Sequence, residues 1–147
     1  MPRRIAVNTF GSDKIKDEVI MTARFLLVFL FLIFGWDKLT NYSGTVAYMQ
    51  QVGAPMPTIS TLVAIFMEFF VSWAIALGAF TRPLAVLLAV YTLGTALIGH
   101  HYWTMIGMDR FEAEINFYKN IGIIGGCFLL YVTGAGKYSL DAKFWLY

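Results

Sequence analysis

Charge is what this chain of 147 residues has least of. Its 11 Lys and Arg and 9 Asp and Glu make up 14% of the sequence, where a soluble domain carries roughly 25%. That is too little to coat a water-facing globule. The formal net charge of +2 exerts no useful pull on nucleic acid or another acidic partner. One cysteine, Cys127, forbids an intrachain disulfide or a CxxC redox pair. The two histidines, adjacent at His100 and His101, provide no pair at depth to hold a haem. Apolar residues are abundant instead, at 59% with 17% aromatic and a mean hydropathy of +0.66. Disorder and coiled coil are excluded on the same grounds. The length fits one domain over residues 1–147, and the solvent for most of its surface is lipid.

A helix needs about 20 mostly apolar residues to cross about 30 Å of hydrocarbon. Four such runs lie between charged or turn-rich breaks, at residues 19–39, 58–79, 83–103 and 114–133. They predict an all-α fold, an integral membrane four-helix bundle. Residues 44–52, between Asn41-Tyr42-Ser43-Gly44 and Gly53-Ala54-Pro55-Met56-Pro57, read as a short amphipathic piece at the interface. Thr81 is expected to cap the third span, with Pro83 in its first turn, where a missing N–H is harmless. Spans two and three then form an antiparallel hairpin. Basic residues before Phe25 to Phe34 also suit a signal peptide, but Gly35-Trp36-Asp37-Lys38 offers no small-x-small cleavage site. The run is read as a retained span.

Lys and Arg accumulate in cytoplasmic loops. Arg3, Arg4, Lys14, Lys16, Arg82, Lys137 and Lys143 fall on the side of the termini, against Lys38 and Arg110 on the other. Both termini, and segment 1–18 with them, are expected to be cytoplasmic. Trp36, Tyr42, Tyr48, Tyr102, Trp103 and Tyr118 then form an outer aromatic belt, and Tyr138, Trp145 and Tyr147 an inner one.

Helical spacing separates the faces. Thr61, Ala64, Glu68, Ser72, Ile75 and Ala79 share one stripe of span two, with Leu62, Phe66, Phe69, Phe70, Trp73 and Leu77 opposite. Span three aligns Ala85, Ala89, Ala96 and His100, and span one Arg24, Val28, Phe31, Gly35 and Lys38. Span four carries a Gly122–Gly126 pair on a face with Asn116, Lys119 and Cys127, small residues that let helices approach closely. Each span thus brings a strongly polar group to one interior. An intramembrane charge costs at least ~2.5 kcal/mol at a helix centre, so it needs a partner or a role.

Glu68 is the most central of these groups and the best catalytic candidate. Arg24, Lys38, Glu68, His100, Lys119 and Asn120 are the expected lining of a polar pocket, a ladder running down to Glu68 and closed from inside by Arg24. The structural alternative is an ion pair of Glu68 with Arg24 or Lys119 that only fixes bundle register. Cys127 reads as a packing residue. His100 and His101 with Glu112 and Glu114 invite a metal, but neighbouring helical residues point 100° apart, so no metal site is assigned. Gly134-Ala135-Gly136 is a helix C-cap and turn, with no second helix to make it a dinucleotide motif.

In order along the chain, Phe34-Gly35-Trp36-Asp37-Lys38-Leu39, Glu68, Leu77-Gly78-Ala79-Phe80-Thr81-Arg82, Phe117-Tyr118-Lys119-Asn120-Ile121 and Gly134-Ala135-Gly136-Lys137-Tyr138-Ser139-Leu140-Asp141 resemble the DoxX family of small four-span bacterial membrane proteins. The resemblance runs from about Val19 to Asp141. It implies a four-helix membrane bundle that takes part in redox assemblies, relatives being named for thiosulfate:quinone oxidoreductase subunits or placed beside partners in thiol homeostasis. Gly35, Lys38, Glu68, Arg82, Lys119, Asn120, Ser139 and Asp141 are the positions that carry its motifs. Vitamin K epoxide reductase is similar in architecture but works through cysteine pairs, which this chain lacks.

The leading expectation is therefore a subunit of a quinone- or sulfur/thiol-linked redox complex, with a polar pocket in the outer half of the bundle. A quinone is the candidate cofactor. The bilayer, redox-enzyme subunits and a second copy of the chain are the candidate partners. A non-catalytic scaffold or assembly subunit is the alternative. A small-solute or proton-linked transporter comes third, since no internal repeat and no helix broken near the midplane is apparent.

Overall fold

Four helices in the computed structural model, which describes residues 11–144, are long and apolar enough to cross a membrane: Lys16–Thr40, Pro57–Leu77, Thr81–Thr104 and Gly107–Thr133. No strand occurs among the described residues. Arg3, Arg4, Trp145 and Tyr147, which count toward the expected charge asymmetry and aromatic belts, lie outside them. The first span is α1 (Lys16–Thr40), followed by the short α2 (Tyr42–Gln51). The second is composite, running as α3 (Pro57–Ile65), a π-helical segment (Phe66–Val71) and α4 (Ser72–Leu77). Then come α5 (Thr81–Gly99), α6 (Gly107–Thr133) and a terminal α7 (Leu140–Phe144).

Burial follows the polar and small stripes, as it must where lipid solvates the large apolar side chains. Thr61, Ala64, Glu68, Ser72 and Ile75 are buried, whereas Leu62, Phe66, Phe70, Trp73 and Leu77 are exposed. Arg24, Val28, Phe31 and Gly35 are the inward line of α1. On α5 the buried face is Ala85, Leu88, Ala89, Thr92 and Ala96, and α6 packs along it. Buried Ala113, Asn120 and Cys127 recur on α6 every seven residues, the spacing of a helix–helix seam.

Three local expectations are corrected. α6 begins at Gly107, two turns before Glu114. Asp109 suits the positive end of its dipole, and the charged Asp109, Arg110, Glu112 and Glu114 hide these turns from a search for apolar runs. The glycine pair does not form one packed notch: a Cβ at Gly126 would lie 2.9 Å from Leu27, but at Gly122 it would meet nothing within 4 Å. Nor does Thr81 cap α5. Phe80 holds the cap position with φ 50, and Thr81 Oγ1 is buried without a hydrogen-bond partner among the described residues.

The cap comes instead from Asp141, sixty residues downstream. Its carboxylate accepts the N–H of Phe80 at 2.6 Å and of Thr81 at 2.8 Å, satisfying two of the orphan donors of a helix start. Around it, the end of the bundle that holds the termini is tied by a clasp of polar side chains on backbone. Arg24 donates from Nε to Ala76 O at 3.0 Å, from one terminal nitrogen to Ala135 O and from the other to Tyr138 O at 2.8 Å. Arg82 donates to Tyr131 O at 2.6 Å and Val132 O at 2.9 Å, carbonyls of the last turn of α6. That turn closes at Gly134 with φ 72, the C-cap expected there. Ser139 donates to Gly136 O at 2.6 Å and accepts the N–H of Ala142 at 3.1 Å. Tyr138 donates to Glu18 Oε1 at 3.0 Å, fastening the start of α1 to the same strap.

Candidate functional site

Away from the clasp, α1, α2 and α3 stand apart from α5 and α6 around a cavity of about 680 Å³, within the roughly 300–1,000 Å³ typical of small-molecule sites. Its floor is built on the π segment. Here the composite second span departs from the expectation of an unbroken helix. A π turn inserts a residue into the α-helical register, and such bulges recur at functional sites. Gly35 of α1 sits directly on this backbone: a Cβ there would come within 2.7 Å of Glu68 C and Phe69 N. Only a glycine lets α1 approach so closely. Lys38, three residues further on the same face, is thereby set over Glu68.

Glu68 is held from both sides. Lys38 Nζ donates to Oε2 at 2.7 Å, and Tyr91 donates its hydroxyl to Oε1 at 2.5 Å. The Glu68 side chain is 9% exposed and that of Lys38 18%, so one end of the pair faces the cavity. Lys38 also lies 5.5 Å from the ring centre of Phe34. Higher on the wall, Asn120 donates to Thr95 Oγ1 at 3.2 Å and Lys119 to Asn116 Oδ1 at 2.6 Å. His100 lines the same space beside Gly99.

Of the residues named from sequence, Lys38, Glu68, His100, Lys119 and Asn120 share this cavity, and Arg24 does not. Arg24 belongs to the clasp, where backbone carbonyls engage its guanidinium, so it neither pairs with Glu68 nor closes the pocket. Lys119 does not pair with Glu68 either. The groups form the Lys38–Glu68–Tyr91 trio and two separate pairs, Asn120–Thr95 and Lys119–Asn116, around one space rather than one hydrogen-bonded ladder. Arg82, Ser139 and Asp141 also lie in the clasp, at the opposite end from the cavity.

Tyr91 and Thr95 are among the polar cavity residues that sequence reasoning misses. A tyrosine near the middle of a span rather than in an interfacial belt is the signal that finds the first. Lys38, expected at the end of span one on its inward line, lies in the last turn of α1 and lines the cavity.

The model of the DoxX family matches residues 19–101, more than half the chain and nearly all of α1 to α5. The chain belongs to the DoxX family. It is 49% identical over 134 residues to the inner membrane protein YphA of Escherichia coli, covering 91% of this chain and 96% of that one. To the inner membrane protein YqjF of the same organism it is 37% identical over 131 residues, covering 87% and 93%. A more distant match is the ER-derived vesicles protein ERV29 of Saccharomyces cerevisiae, 24% identical over 132 residues, where 90% of this chain aligns with 36% of the relative. No solved structure matches significantly. With four spans and relatives of this kind, this DoxX protein is a multi-pass inner membrane protein in contact with lipid through the exposed faces of its helices.

Proposed function

We propose that this DoxX-family protein is the membrane subunit of a redox complex and holds a quinone, or a small sulfur compound of similar polarity, in the cavity above Glu68. The observation that carries this reading is the Lys38–Glu68–Tyr91 cluster at the floor of a cavity whose lining is predominantly apolar. A quinone head needs hydrogen-bond donors for its carbonyls and apolar walls for its ring. Lys38, Lys119 and Asn120 are donors on the cavity wall, and Phe31, Phe34, Val63 and Ile98 are among its apolar residues, so the residues fit the group. A bound quinone supplies two-electron, two-proton chemistry. The protein's part is to orient the head with the ammonium of Lys38 and to move a proton between Tyr91 and Glu68, which are in hydrogen-bond contact.

The test is extraction of the protein into nanodiscs, mass spectrometry of the lipids that accompany it, and titration with a benzoquinone followed by tryptophan fluorescence. Trp36, whose ring centre lies 6.0 Å from that of Phe69 beside Glu68, is a built-in reporter. Saturable quenching is expected, weakened about tenfold in Glu68→Gln. Absence of both a co-purifying quinone and any response removes this reading and leaves a scaffold subunit.

The excess of Lys and Arg near the termini supports a clasp on the cytoplasmic side and a cavity in the outer half of the membrane. A fluorescent reporter that matures only in the cytoplasm, fused after Tyr147, is expected to light up. A dark fusion whose alkaline phosphatase counterpart is active reverses the orientation.

A further inference from the structure

We infer that the cavity opens sideways into the bilayer, through a gap between α3 and α5 beside Gly94, and that its ligand is a lipid-dissolved molecule whose tail stays in that gap. This rests on the reading of the cavity as a ligand pocket and adds to it a route and a chemical class. Around the bundle α3 and α5 are neighbours, yet α5 makes its contacts with α6, the π segment and α4, and none of comparable extent with α3. The hairpin is closed at its turn and splayed at the level of the cavity. Gly94 lies on the splayed wall of α5, lines the cavity, and a Cβ built there would meet nothing within 4 Å.

Helical geometry locates the gap. Gly94 comes one turn after Val90 and one before Ile98, on the border between the lipid-facing residues Val90 and Leu97 and the cavity residues Tyr91 and Thr95. Across from it, Ile59 and Val63 of α3 line the cavity while remaining about half exposed. Both jambs of the gap are therefore apolar.

The other routes are less suited to an apolar tail. Between α1 and α3 the end of the cavity is roofed by one face of α2. Between α5 and α6 the close packing of Ala85, Ala89 and Ala96 leaves no passage, and the seam of α1 with α6 carries Lys119 on the cavity wall. A molecule with an acceptor head on Lys38 and an alkyl or isoprenoid tail leaving past Gly94 keeps its polar end on that donor and its apolar end in lipid.

Two probes with the same benzoquinone head, one without a side chain and one with a decyl chain, are titrated against the protein in nanodiscs of fixed composition. In Gly94→Phe the decyl compound is expected to lose about tenfold or more in affinity, while the bare head binds within about twofold of the parent protein. Gly94→Ala leaves both unchanged and, like Gly94→Phe, melts no lower than the parent, because glycine is the poorer helix former. Equal, unchanged binding of both probes to Gly94→Phe overturns the lateral gap and leaves the pocket standing. Equal loss of both also overturns it, since the new ring then fills the pocket rather than the route. Failure of the parent protein to bind either probe removes the pocket itself.

Discussion

Arg24→Met is expected to lower the melting temperature in detergent by about 10 °C or more. Arg24 is 2% exposed, and its guanidinium serves three carbonyls from two different parts of the chain: Ala76 at the end of the second span, and Ala135 and Tyr138 in the strap after α6. Hydrogen bonds from a charged donor contribute about 1.5–3 kcal/mol each. Methionine fills similar volume but leaves all three carbonyls without this donor in a poorly hydrated site. A loss on the order of 4 kcal/mol follows, which at about 2–4 °C per kcal/mol for a chain of this size gives a shift of that magnitude. Arg24→Lys should recover little of it, because a single ammonium cannot reproduce the planar fork that spans the three acceptors. A Tm for Arg24→Met within about 2 °C of the parent would show that the clasp contributes little to holding the bundle together.

That Arg24 is structural is not legible in the sequence, and the reason is physical. An arginine in an apolar span announces that it needs partners, but not which. Carboxylates such as Glu68 are visible as candidates, whereas free carbonyls at helix ends appear only once the ends are placed. Asp141 escapes for the same reason: its capping role depends on α7 folding back over a helix start sixty residues earlier. The four spans, by contrast, are readable to within a turn or two, since lipid imposes both their length and the outward direction of their large apolar residues. The inward stripes follow from helical spacing, and with them most of the cavity wall. The π segment is hidden because it leaves no mark in a 100° projection. Its one trace is Gly35, which belongs to another helix and makes sense only against the widened backbone it touches.

Removing one member of the Lys38–Glu68 pair should cost much more than removing both, and the comparison separates a structural from a functional role. In Lys38→Met the Glu68 carboxylate keeps only Tyr91, and an uncompensated buried charge costs about 3–5 kcal/mol. Glu68→Gln costs less. Its amide still accepts from Tyr91, and the freed Lys38, near the end of α1, can extend its ammonium toward the aqueous end. In the double variant no charge is left unpaired, so stability should return to within about 1 kcal/mol of the parent. A coupling energy obtained from the four proteins measures the pair directly. If the pair only fixes the register of α1 against the π segment, the double variant regains whatever the bundle does, redox flux in its complex included. If Lys38 orients a ligand and Glu68 exchanges its proton, stability returns and quinone binding does not. A double variant no more stable than Lys38→Met would mean that the pair acts through something other than mutual charge compensation, and neither role for Lys38 and Glu68 at the cavity floor would survive.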